Sequence, residues 1–150
     1  MAIADRPRMI AEVVNAGPMP ALEAMVSFAG QRQRLIAHNI ANLSTPNFRP
    51  VDVSPKSFQR ALGEALDRRA PGASGGIELK HTGELSVSPD GSFKIKPGSP
   101  SGNVVFHDRN DRDLERTMQS LAENVAMFRL AGDMLRGRIT MMREALADRV

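Results

Sequence analysis

A chain of 150 residues is one domain's worth, long enough for a modest core and too short for two independent ones. Six Phe with no Trp or Tyr leave little of the rigid aromatic hardware of ligand pockets, whereas nine Met supply adaptable packing. A net charge of +3 with interspersed signs does not by itself indicate nucleic acid, and zero Cys excludes disulfides, thiolate catalysis and cysteine-based zinc sites.

Residues 1–20 are broken by Pro7, Glu12, Pro18 and Pro20 and read as a flexible segment with no secretory signal. No apolar run approaches the ~18 residues of a membrane span, so direct membrane insertion is not expected.

Residues 21–43 predict a helix. Leu22, Val26, Ala29, Gln33, Ile36, Ile40 and Leu43 alternate at four and three residues, with only Gln33 polar. Beside that row run Met25, Phe28, Arg32, Leu35, Asn39 and Asn42. The helix should end before Pro46, because the residue ahead of a proline is pushed out of the helical region. The closing stretch LIAHNIANLSTPNFRP gathers His38, Asn39, Asn42 and Asn47 around an apolar run. Asn39 and Asn42 are three apart and share a helix face. Paired amides there suit a helix end buried against another subunit, since they satisfy backbone groups without the desolvation cost of a charge. A plain polar C-cap is the other reading.

Weaker material follows. Ser54-Pro55 reads as an N-cap and first-turn proline for a short helix with Phe58, Leu62, Ala65 and Leu66 on one face. Residues 67–103 read as flexible linkers around a small insert: APGASGG and PGSPSGN are breaks. Between them LSVSPDGSFKIK predicts a hairpin, with Leu85, Val87, Phe93 and Ile95 on one face. A lone two-stranded ribbon is only marginally stable, so this one must lean on something else.

Residues 112–148 carry the strongest pattern. Asn110 or Asp111 caps the start, with Asp113 and Glu115 complementing the positive helix end. The seam Leu114, Met118, Leu121, Val125, Phe128, Gly132, Leu135, Ile139, Met142 and Leu146 keeps a coiled-coil spacing. A second row, Met127, Met134 and Met141, lies roughly 130° away, with Ala131 and Ala145 between its turns. One stripe needs one partner and two stripes need two, which points to an assembly subunit; one wide buried face is the alternative. The seam should pair with the helix at 21–43, parallel or antiparallel.

No chemistry stands out. His38, His81 and His107 are isolated from one another, and none has a second His or Cys at metal-ligating spacing. HDRNDRD has the acidic density of a calcium loop, but Arg112 and Asp113 occupy positions that need a ligand and a glycine, so it reads as helix capping. Arg129, Arg136, Arg138 and Arg143 read as a solvated face. No catalytic residue and no cofactor can be nominated.

HNIANLSTPNF resembles the N-terminal signature of bacterial flagellar axial proteins, in which Asn-Asn-Ile-Ala-Asn leads to Thr-Pro-Gly-Tyr. Asn39, Ile40, Ala41, Asn42, Thr45 and Pro46 match; His38 replaces the first Asn, and Asn47-Phe48 replace Gly-Tyr. RPVDVSPKSFQRAL resembles the segment that follows, with Asp52, Val53 and Phe58 as anchors. Residues 110–146 are similar to the terminal helix of short proximal-rod proteins of the FlgB type, through Asn110, Glu115, Met118, Ala122, Glu123, Asn124, Leu135, Met142 and Ala145.

The resemblance implies a non-enzymatic subunit of the flagellar basal body, in the periplasm-spanning rod between the export apparatus and the distal rod. It implies export from the cytoplasm by the flagellar type III system, with terminal segments that fold on assembly. Partners would be other rod subunits, the rod-to-ring or export-gate adaptor, and copies of the chain in a helical array. The expected fold is mainly α. Residues 21–66 and 104–150 form the helical core, with a short helix and a hairpin insert between the long helices. Asn39, Asn42, Thr45, Pro46, Met127, Met134 and Met141 are the expected assembly contacts. A small basic helical protein binding nucleic acid, or another short flagellar rod protein, is the competing reading.

Overall fold

The computed structural model describes residues 17–70, 73, 75–98 and 114–147. The expected helix caps Asn110 and Asp111, and most of the segment 1–20, lie outside the described residues. The described elements are α1 (Met19–Ala41), α2 (Pro55–Asp67), β1 (Leu85–Val87), β2 (Phe93–Ile95) and α3 (Leu114–Ala147). The fold is mainly α with a two-stranded antiparallel sheet between the helices, as the sequence predicts. No described helix is long and apolar enough to cross a membrane.

α1 starts two residues earlier than expected, at Met19, because its prolines begin the helix rather than break it. Pro18 occupies the N-cap and Pro20 the first turn, where a missing N–H costs nothing. Both apolar rows of α1 are used. Ala29 and Ile36, at 0% and 1% exposure, face α3, and Phe28 at 1%, about 100° round the helix from Ala29, faces α2. Phe28 stacks on Phe58 of α2 with ring centroids 4.0 Å apart, and Phe93 of β2 lies 5.8 Å from Phe58. Burying each of these rings contributes about 1.5–3 kcal/mol before entropy. α1 is therefore the middle layer, between α3 and a layer made of α2 and the hairpin.

α2 forms as its capping signal predicts: the Ser54 hydroxyl accepts the Ser57 N–H at 3.2 Å, with Pro55 at the first helical position. Phe58, Ala61, Leu62 and Ala65 are buried, but Leu66, expected on the same face, is 39% exposed. The hairpin pairs Leu85 with Ile95 and Val87 with Phe93, which puts all four side chains on the core face. Its turn, Ser88-Pro89-Asp90-Gly91-Ser92, places Gly91 at φ 82°, the left-handed position of a three-residue loop. Asp90 accepts the Ser92 hydroxyl and N–H at 2.7 and 3.0 Å, bonds that hold its pKa below the ordinary value. Ile77 and Leu79, inside the stretch read as linker, are buried in the same core cluster. The hairpin also leans on α1: the Gln31 amide donates to Phe93 O and accepts from Ile95 N, like a third strand on the free edge of β2.

α1 and α3 run antiparallel. Asn124 meets Ala29 and Gln33, Phe128 lies beside Gly30, and Arg138 lies beside Gly17. The contact face differs from the seam read from sequence. The most buried residues of α3 are Asn124 and Ala131, both 0% exposed and one heptad apart. Along the seam, Leu114, Met118 and Phe128 are 44%, 43% and 45% exposed. Leu121, Val125, Leu135, Ile139 and Met142 are half-buried, and Leu146 is exposed. A strict seven-residue repeat drifts by ~20° per heptad on a straight helix. The seam therefore points well away from α1 at the start of α3 and swings toward it by Leu135. Ala131 lies at the centre because two helix backbones approach closely only where the side chain is small.

Candidate assembly surfaces

The Thr45–Phe48 stretch is a tight turn closed by Phe48 N–H to Thr45 O at 3.2 Å. Pro46 fills the second position and Asn47 the third with φ 59°, the pattern of a type II turn. Asn47 is the non-glycine residue at positive φ among the described residues, and it occupies the position where the axial signature has glycine. Asparagine is one of the few residues that reaches this region at modest cost. The other departures from the signature meet each other: the Phe48 ring packs edge-on to His38, with centroids 5.5 Å apart. Thr45, Pro46 and Asn47 are exposed.

The two asparagines part company. Asn39 is buried, and its amide serves this chain: Nδ2 donates to Val51 O at 2.8 Å and Oδ1 accepts Val51 N–H at 3.1 Å. The helix end at Asn39 is thus buried against its own chain rather than against another subunit, and Asn39 straps the returning strand-like segment to α1. One α-helical turn is enough to separate their surroundings, because Val51 passes only over the Asn39 side. Asn42 is a local C-cap, donating to His38 O at 2.9 Å, with the Thr45 hydroxyl donating to its Oδ1 at 3.4 Å.

Beside Asn39 a second strap went unread in the sequence. Arg32, 3% exposed, makes a two-pronged pair with Asp52 at 2.9 and 2.6 Å. Asp52 also accepts the Val53 N–H at 2.8 Å, while its backbone bridges to Gly98. The signal was available: an arginine in the apolar row that faces the core demands a carboxylate, and Asp52 is the charged anchor just after the turn.

On α3 the methionine row also divides. Met127 packs against the core of its own chain, so this part of the expected second stripe has an intramolecular contact. Met134 and Met141 are 55% and 60% exposed, and Leu130 between them is 59% exposed. Met127, Leu130, Met134, Gly137 and Met141 alternate at three and four residues, a second coiled-coil seam rather than a row of methionines. Counting that face at 4-3 spacing, instead of by sevens, would have found Leu130.

No protein-family model matches the chain. It is similar to the flagellar basal body rod protein FlgB of Bacillus subtilis (strain 168), 26% identical over 135 residues, which covers 87% of this chain and 94% of the relative. It is also similar to the protein of the same name from Yersinia enterocolitica, 31% identical over 130 residues, covering 81% of this chain and 87% of the relative. At 31% identity over 87% of the second relative, the chain belongs to the FlgB family of flagellar basal body rod proteins.

Proposed function

We propose that this chain is a structural subunit of the proximal rod, packed side by side with other rod subunits and with copies of itself. In this reading it joins the membrane ring and export apparatus to the distal rod, reaches the periplasm through the flagellar type III system, and catalyses nothing. The observation that carries the reading is the open seam of α3. Leu130, Met134 and Met141 are each more than half exposed on a helix that has already buried its adjoining face, at Asn124 and Ala131, against α1. Large apolar side chains aligned on one helix face mark a surface meant to be covered. Thr45, Pro46 and Asn47 form an exposed, conformationally fixed turn, and they extend the proposed contact region beyond α3. Asn39 contributes by holding that turn's exit rather than by touching a neighbour.

The test is genetic and biochemical together. An in-frame deletion should abolish swimming, restored by the wild-type gene, and a tagged chain should remain in detergent-extracted basal bodies. A swimming deletion strain would sink the reading. Retarded duplex DNA in a gel shift at physiological salt would favour the nucleic-acid alternative instead.

A further inference from the structure

An oxidant that reaches this chain meets thioether sulfur first. There is no Cys, Trp or Tyr, and the nine methionines hold all of the sulfur. The described methionines differ in their access to water. Met19 is buried, Met25 and Met127 pack against the core, and Met142 is half-buried. Met134 and Met141 are each more than half exposed, and both lie on the open seam of α3. Met118, the other exposed methionine among the described residues, lies on the seam read from sequence. Met127, Met134 and Met141 stand one heptad apart, so a single row carries one shielded sulfur and two open ones.

We propose that Met134 and Met141 form a redox-sensitive modification site: a peroxide oxidises them to methionine sulfoxide in the free chain, and the sulfoxides keep the seam from packing. The step is a two-electron oxygen transfer. A sulfur lone pair attacks one oxygen of hydrogen peroxide, the O–O bond breaks as the S–O bond forms, and the peroxide is reduced to water. A flexible apolar side chain becomes a polar, chiral one. In the free chain the new oxygen accepts hydrogen bonds from water. In a covered seam it would lose them, and Leu130 beside it has no donor to offer in return. Methionine sulfoxide reductases reverse the change, with the oxygen leaving as water while a thiol pair is oxidised to a disulfide. The proposal rests on the reading of the chain as a rod subunit and adds a control on that same surface, acting before a subunit is packed.

Two measurements test it. In the first, the folded full-length chain is treated with hydrogen peroxide and its peptides are followed by mass spectrometry. Sulfoxide should appear at Met134 and Met141, with Met118 alongside, before Met25, Met127 or Met19. Equal rates at all of them, or Met127 ahead of Met134, overturn the site. In the second, wild-type chain and the double variant Met134→Leu, Met141→Leu are expressed only after peroxide is added to growing cells. Wild-type chain should be lost from detergent-extracted basal bodies, and the leucine variant should be retained. Loss of both, or retention of both, overturns the proposal. Without peroxide, the double variant Met134→Gln, Met141→Gln, neutral and polar like the sulfoxides, should be secreted yet leave the strain unable to swim. If that strain swims while a deletion strain does not, the proposal falls and the rod reading stands.

Discussion

At the residue scale the signature's asparagines do two jobs that look alike in sequence. Asn39→Leu leaves the Val51 N–H and carbonyl without their partner beneath a buried side chain, and should lower the stability of the isolated chain by about 1–3 kcal/mol. Asn42→Ala removes a local cap near the surface and should cost under about 1 kcal/mol. Urea unfolding of the two variants checks the order; equal losses would mean that the Val51 strap is not holding the segment. Arg32 and Asp52 make a sharper case. Asp52→Ala strands a guanidinium that is 3% exposed and should cost more than the double variant Arg32→Met, Asp52→Ala, since a buried charge without its partner is worse than no charge. The expected loss for the single variant is near the low end of about 3–5 kcal/mol, because Asp52 retains some solvent. A double variant less stable than the single one would overturn this account.

At the element scale α1 was legible because both its faces are filled by large apolar residues at helical spacing, and each found a separate layer. The hairpin was legible from Pro89-Asp90-Gly91 between alternating strands, a signal that depends only on local backbone chemistry. α3 was half legible. Its existence and length follow from periodicity, but its facing does not, because large side chains on two seams compete and the contact centre belongs to Ala131 and Asn124 instead. Hydrophobic patterning rewards size, whereas close helix approach rewards smallness. The Asn124 amide donates to Ala29 O and Gln33 Oε1 at 2.9 and 2.7 Å, so the polar exceptions in the two helices find each other and fix the register. Ala131→Leu should therefore force the helices apart and lower stability by about 1–3 kcal/mol, although leucine is the better seam residue on paper. Thermal melts followed by circular dichroism decide it. A melt unchanged or raised would return the contact centre to the seam read from sequence.

At the scale of the whole molecule, the chain separates residues that hold it together from residues that face outward, and stability and motility should divide along the same line. Met134 is 55% exposed on the open seam, flanked by exposed Leu130 and Met141. A charge placed there meets water in the free chain, so Met134→Asp should change unfolding free energy by no more than about 0.5 kcal/mol. Were the seam covered in the rod, that same carboxylate would be buried without a partner at every contact, and removing a charge from water is costly at each repetition. The strain should secrete the variant normally yet fail to swim. Leu135→Asp is the internal comparison: Leu135 is half-buried on the α1 side of the same helix, so its substitution should lower the melting temperature of the purified chain as well as motility. Secretion, melting and swimming measured together separate the outcomes. A Met134→Asp strain that swims would remove the seam from the assembly, whatever the chain's stability. A Met134→Asp chain that melts early would place the seam inside the fold, and its exposure would no longer speak for a partner.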